Sequence, residues 1–342
     1  MSTLKNLMAA GIRVLLVGGP GCAKTARIEA IANELGRRLV TVRAALSERV
    51  DFGGALVPDT KAGVTKALPL ELLKDLQTTT EPTLLFLDDL GQAPMDVQSA
   101  LMRLFDKGEL SPHVLIWGAT NRPGDVCGVA RMGEQLKSRF GPKFEIPTPG
   151  TVDATDGAQL LGTWEDEVAA WCEWAMDRGA AAEIIAWHRS TSGRTLYAWK
   201  PNSNPGVSMP DFRAWETVID LWDNGIQDLA TISAVIGKSA AAEFLQFARL
   251  AHELPTPDQV WMDPNGAPVP EDPSALYLVA SMLAAAVDDQ TASAAVTYMG
   301  RMPRVYGALL ARDMYRKLGP ALSGSKEWVK WFTANQELFA VG

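Results

Sequence analysis

Eight residues near the start of the chain, Gly18-Gly19-Pro20-Gly21-Cys22-Ala23-Lys24-Thr25, have the composition and order needed to hold a triphosphate. Glycines let the backbone curl until successive N–H groups converge on phosphate oxygens, and a helix opening behind them adds positive potential. Lys24 would reach the β- and γ-phosphates of ATP, and the Thr25 hydroxyl would ligate magnesium. The alternative is a glycine-rich turn that merely ends in Lys-Thr; eight residues in register after an apolar strand weigh against it. Ala23 stands where many such loops carry glycine, and its methyl group disfavours positive φ.

Two further segments could complete that chemistry. Leu84-Leu85-Phe86-Leu87-Asp88-Asp89 is an apolar strand ending in two acids. Asp88 would hold magnesium through water, and Asp89 would polarise the attacking water. A solvated helix cap is the other reading of the pair. Asp89 is one methylene shorter than glutamate, so the water must sit closer or hydrolysis must be slow. In Trp117-Gly118-Ala119-Thr120-Asn121-Arg122-Pro123, Asn121 would orient the same water if its strand lay between the loop strand and the acid strand. Alone, the segment is only a turn.

These groups need a scaffold. Val14–Val17, Leu39–Arg43, Leu84–Leu87 and Val114–Trp117 read as strands, and Lys143–Ile146 as a weaker one. Helical patterns at Lys24–Leu35, Leu70–Gln77 and Asp96–Phe105 lie between them. Alternating strand and helix predicts an α/β fold with a mainly parallel sheet. Pro147-Thr148-Pro149-Gly150 marks a boundary. Beyond it the pattern is helical, with Trp164, Trp171, Trp174 and Trp187 at helical intervals, and the Pro-rich stretch Pro255–Pro273 divides it again. The tryptophans read as inter-helix packing rather than an aromatic cage.

Composition sets outer limits. The chain has 342 residues, 47% of them apolar and 21% charged, which is enough for two or three domains with sizeable cores. A net charge of -8 argues against duplex DNA as the default partner, although a local basic loop leaves nucleic acid open. Cys22, Cys127 and Cys172 are scattered without paired spacing, which fits a reducing cytoplasm. His113, His188 and His252 have no ligand-spaced companions. The N-terminus lacks a signal-peptide pattern, and the apolar run Leu276–Val287 is too short to span a bilayer, so a soluble cytoplasmic protein with no membrane contact is expected. Lys61-Ala62-Gly63-Val64-Thr65-Lys66 reads either as a hairpin at the pore of a ring or as a solvated turn.

Taken together, the phosphate loop, the acid strand, the Thr-Asn strand end and Leu136-Lys137-Ser138-Arg139-Phe140 resemble an AAA+ ATPase of the P-loop NTPase class, and more narrowly its MoxR-like branch with the RavA and CbbQ relatives. That branch commonly has alanine before the loop lysine, as at Ala23. The stretch Asp88 to Leu101 is similar to the family's acid strand and following helix, where glutamate is usual in place of Asp89. The resemblance implies that Arg139 is the arginine finger entering a neighbouring subunit's site, with Arg131 its nearest competitor. Such fingers contribute roughly 10³–10⁵ in rate. The other reading of Arg139 is a surface arginine or a helix C-cap. Arg213, in Met209-Pro210-Asp211-Phe212-Arg213-Ala214-Trp215, resembles the Pro-Arg start of the family's lid helix, the sensor 2 arginine, with Asp211 and Phe212 intervening. The resemblance further implies ATP and Mg²⁺ as cofactors and a homo-hexameric ring. It implies an AAA+ core over 1–150, a helical lid over 151–255 and a C-terminal helical extension over 256–342. The expected action is chaperone-like remodelling of a client or adaptor protein, in that branch often of von Willebrand A type. A nucleotide-gated scaffold with negligible hydrolysis and a DNA-acting AAA+ ATPase are the alternatives.

Overall fold

The computed structural model describes residues 2–125, 132–155, 157–199 and 208–338. Cys127 and Arg131 lie outside these. The described residues fall into two compact units, one running from Ser2 to Trp164 with Trp199, the other taking Glu165 to Ala198 and the chain from residue 208 onward.

The first unit is built on eight strands: β1 (Leu15–Val17), β2 (Arg38–Arg43), β3 (Ala55–Asp59), β4 (Val64–Leu68), β5 (Thr83–Asp88), β6 (Val114–Thr120), β7 (Lys143–Glu145) and β8 (Gln159–Leu160). Six form one sheet in the order β2-β5-β6-β1-β7-β8, parallel throughout. β6 therefore lies between β1 and β5, the arrangement that the proposed role of Asn121 requires. β5 is buried along its whole length and its side chains alternate between two cores. Leu84 and Phe86 join Leu16, Trp117, Ile28 and Ile31 on one face, while Leu85 and Leu87 join Leu15, Ile116 and Leu101 on the other. This is why the strands read as unbroken apolar runs: helices cover both faces. Fully buried Trp117 donates its indole N–H to the Ile12 carbonyl at 2.8 Å, so its polar atom carries no burial penalty.

Every expected strand of this sheet is present, with ends shifted by a residue or more. β8 and the helix Ser2–Ala9 were not foreseen. β8 is two residues long and has no apolar run, so it carries no period to detect. Strands β3 and β4 make a separate antiparallel hairpin. Asp59 fastens its turn, accepting from the Lys61 and Ala62 N–H groups at 3.1 Å and pairing with Lys66 at 2.6 Å.

The second unit is helical. No helix among the described residues is long and apolar enough to cross a membrane; the apolar run expected to be a buried helix forms Pro273–Ala286, with eight of its residues buried. A bidentate Arg189–Asp313 pair, at 2.6 and 3.0 Å with both side chains almost fully buried, ties the helix Ala182–Ser190 to Arg304–Leu318. The tryptophans pack as expected: Trp187 against Phe247 at 5.3 Å, and Trp215 against Phe244 at 5.3 Å.

His188 is fully buried between Trp171 and Trp215, with ring centroids 4.8 and 4.2 Å away, and neither ring nitrogen has a hydrogen-bond partner. Burial pushes its pKa down to about 3, so the folded chain holds it neutral. The unfolded chain takes up a proton near the ordinary histidine value of about 6.5. Stability is therefore complete above that pH and is lost as pH falls toward the folded pKa. Between pH 7 and 4.5 the loss from this group amounts to about 2.5 kcal/mol. Thermal unfolding of His188→Phe beside the parent should show a shallower acid limb over that range; parallel limbs would show that His188 is not the cause.

Candidate functional site

The site forms where β1, β5 and β6 end. Backbone bonds fix the root of the loop: the Gly18 N–H donates to the Thr120 carbonyl at 3.1 Å, and the Ile146 N–H to the Val17 carbonyl at 2.9 Å. The loop then curls into the helix Lys24–Glu34. A Cβ on Gly18 would lie 2.6 Å from the buried Cys22 sulfur, so the first turn admits no side chain there. Gly21 has φ +70°, and Ala23 has φ +60° and ψ +32°. The methyl group that disfavours this conformation is tolerated, at a strain of roughly 1–2 kcal/mol.

Lys24 is buried, and its ammonium donates to the carbonyls of Gly18 and Gly19 at 2.9 and 3.0 Å and to Asn121 Oδ1 at 2.9 Å. Thr25 Oγ1 donates to Asp88 Oδ2 at 2.6 Å, while Asp88 Oδ1 accepts the Asp89 N–H at 3.0 Å. The structure thus brings Lys24, Thr25, Asp88 and Asn121 together from loop, acid strand and Thr-Asn strand end. A hydroxyl and a carboxylate, both hard oxygen donors at contact distance, suit Mg²⁺. A buried ammonium beside a curled glycine loop at a helix start suits a polyphosphate.

Asp89 has φ +56° and ψ +35° and opens the 3-10 turn Leu90–Gln92, with no side-chain capping bond to it. The left-handed region is most accessible to Asp and Asn after glycine, which accounts for a short acid at this position. A Cβ on Gly91 would meet Thr120 Oγ1 at 2.4 Å, so this turn presses against the end of β6.

Arg139 lies apart from this cluster within the first unit. Arg139 follows the short helix Glu134–Lys137, whose C-cap is Ser138, and precedes β7. In a parallel sheet that puts it at the ends of the strands away from the phosphate loop. Its exposed guanidinium meets Asp106 at 3.3 Å. Arg213 is an exposed residue in the first turn of the helix Phe212–Asp223 in the second unit. Asp211, which interrupts the expected Pro-Arg pair, is that helix's N-cap and accepts the Ala214 N–H at 2.7 Å, and Phe212 is buried beneath. Reasoning from sequence passed over Arg122, Asp125, Glu145 and Thr148, which form a buried polar cluster at the ends of β6 and β7. Their spacing in sequence gives no period or motif that would group them.

Residues 14–148 match the family model "ATPase family associated with various cellular activities (AAA)". Over these residues the chain is similar to an AAA domain. Among curated relatives, Protein SAV of Sulfolobus acidocaldarius is 27% identical over 158 residues, covering 43% of this chain and 18% of that protein. Mitochondrial sorting homolog of Caenorhabditis elegans is 26% identical over 160 residues, covering 43% of this chain and 41% of that protein. The chain thus spans less than half the length of these relatives. Among solved structures, the Thermotoga maritima RuvB Holliday junction branch migration motor is similar at a TM-score of 0.38 and 18% identity, over 72% of this chain and 67% of that one. The architecture of the domain is the P-loop AAA+ fold, with a parallel six-stranded sheet and a helical C-terminal region.

The tight fit in the loop has a measurable consequence. Gly18→Ala should cost about 1–3 kcal/mol through the clash with the Cys22 sulfur. Adding Cys22→Ala should return most of that loss in chemical denaturation; equal destabilisation in the single and double variants would mean that the clash lies elsewhere.

Proposed function

We propose that the AAA domain binds MgATP and hydrolyses it, and that the chain works as a ring that remodels or activates a partner protein. The reading is carried by one observation: Thr25 meets Asp88 and Lys24 meets Asn121 around one curled loop, at 2.6 and 2.9 Å. In this account the N–H groups of Gly19, Gly21, Cys22 and Ala23 would wrap the phosphates, and the Lys24 ammonium would leave its loop carbonyls for the β- and γ-phosphates. Thr25 and Asp88 would hold Mg²⁺, which when bound would supply positive charge against the phosphate oxygens. Asp89 takes up the attacking water's proton, and Asn121 orients that water. Arg139 lies at the far end of its own sheet, so we assign it to the site of a neighbouring copy. Arg213 would contact the γ-phosphate from a lid over residues 151–255, with 256–342 as a C-terminal helical extension.

The finer assignment, a homo-hexameric MoxR-like motor acting on a cytoplasmic client or a von Willebrand A-type adaptor, rests on the residue resemblance alone. In that ring the hairpin turn at Lys61–Lys66 would line the pore and grip the client. The left-handed backbone and short reach of Asp89 favour one second reading, a nucleotide-gated scaffold that turns over slowly.

Steady-state phosphate release separates the two. The parent should hydrolyse ATP only with Mg²⁺, and Lys24→Ala should abolish turnover. Asp89→Asn fits the same backbone, so it should keep nucleotide affinity within about threefold while lowering kcat by roughly 10²-fold or more. Arg139→Ala alone should be nearly inactive, yet regain turnover when mixed with Lys24→Ala subunits, since each supplies what the other lacks. Turnover in Lys24→Ala equal to that of the parent would sink the hydrolase reading; assembled parent without turnover above background would favour the scaffold.

A further inference from the structure

We infer that Arg122 is a positioning residue for ATP hydrolysis, acting through Asn121 by strapping the ends of β6 and β7 together across the root of the phosphate loop; this rests on the hydrolase reading above. β6 and β7 are the two neighbours of β1 in the sheet. They are separated by two strand spacings, about 10 Å. Arg122 stands two residues beyond the end of β6, and its guanidinium donates to Thr148 Oγ1 at 3.0 Å and lies 3.9 Å from Glu145 Oε1, the last residue of β7. The side chain therefore spans the end of β1 at the level where Gly18 leaves the sheet. A Cβ added at Gly18 would touch Ile146, next after Glu145, at 3.5 Å, which puts the loop root in that gap.

The strap is anchored at both ends. On the β6 side, Asp125 accepts from the Arg122 backbone N–H at 3.1 Å and from Nε at 3.1 Å, which closes the turn directly after Asn121. On the β7 side, Glu145 accepts the Thr155 hydroxyl at 2.7 Å, and Thr148 shares a 3.0 Å hydroxyl contact with Thr151. The Asp125 and Glu145 side chains are only 2% and 1% exposed. Burying two carboxylates around one guanidinium costs several kcal/mol per ion, and apolar side chains of the same volume would serve stability as well or better. What apolar packing cannot supply is direction. The cluster holds the Asn121 backbone so that its amide points over β1 to the Lys24 ammonium. A displacement of 1 Å at such a group costs roughly 10²-fold in rate.

The test uses the full chain with Arg122→Gln, Arg122→Lys and Thr148→Val. Thr148→Val removes one acceptor without unpairing a buried charge, so it reports even if the arginine variants fold poorly. Folded Arg122→Gln should lose tenfold or more in kcat with the ATP dissociation constant moved less than threefold. Arg122→Lys should recover part of the loss, and Thr148→Val should lose about threefold. In an Asn121→Ala background, Arg122→Gln and Thr148→Val should each cost less than twofold further, which a general loss of stability would not produce. Effects that multiply with Asn121→Ala, or a kcat for Thr148→Val and folded Arg122 variants equal to the parent's, would overturn the strap while leaving the hydrolase reading intact. A parent without Lys24-dependent turnover would overturn both.

Discussion

A buried ammonium needs three acceptors, and most of the site's architecture follows from where Lys24 finds them. Two are carbonyls of its own loop and the third is the Asn121 side chain. The loop carbonyls can turn inward only if the chain curls tightly between Gly18 and Lys24, which requires left-handed backbone at Gly21 and Ala23 and no side chain at Gly18. The Asn121 acceptor requires that β6 be the immediate neighbour of β1. Removing any one of the three would leave one ammonium hydrogen of a buried lysine without an acceptor. Sheet order, loop curl and glycine placement are thus linked through one side chain.

The cost of that linkage is local strain. Among the described residues three that are not glycine have positive φ, and two of them, Ala23 and Asp89, stand on opposite sides of the cluster. Each lies immediately beside a residue of the inner contacts, Ala23 before Lys24 and Asp89 after Asp88. Strain of this size persists only where surrounding structure over-determines the backbone. Here the two cores on either face of the sheet do so, since β5 is wholly buried and β1 runs through both clusters. The strained residues are held by packing that extends well beyond the site.

This division also explains what could be read in advance. The sheet was legible because strands covered on both faces must be continuously apolar, and Leu84–Leu87 and Val14–Val17 are. The inner contacts were legible because residue types at the ends of such strands have few other uses: Lys24, Thr25, Asp88 and Asn121 converge as their positions required. The Asp59-fastened hairpin was half legible, as a turn whose strands have no buried face to give them a period. The cluster of Arg122, Asp125, Glu145 and Thr148 was not legible at all. Its members come from two segments, 122–125 and 145–148, and only the sheet order β6-β1-β7 brings the two together. Asp211 does stand between Pro210 and Arg213, but its capping role was not legible because the sequence locates helix ends only to within a few residues.

The position of Arg139 limits which phosphate it could meet. In a parallel sheet the two ends of the strands are chemically different, one gathering the phosphate loop, the acid turn and Asn121, the other gathering the segments that enter the strands. Arg139 enters β7 and is fixed to that second end by backbone bonds, its N–H to the Leu136 carbonyl at 3.1 Å and the nearby Gly141 N–H to the Arg13 carbonyl at 3.1 Å. Its exposed partner Asp106 offers a contact weak enough to give up, since ion pairs at the surface contribute at most about 1 kcal/mol. An arginine so placed cannot reach a triphosphate on its own loop without unfolding the sheet between them. If it meets one, the phosphate belongs to another copy, which is the geometric ground for assigning Arg139 to a neighbouring site in the proposed ring.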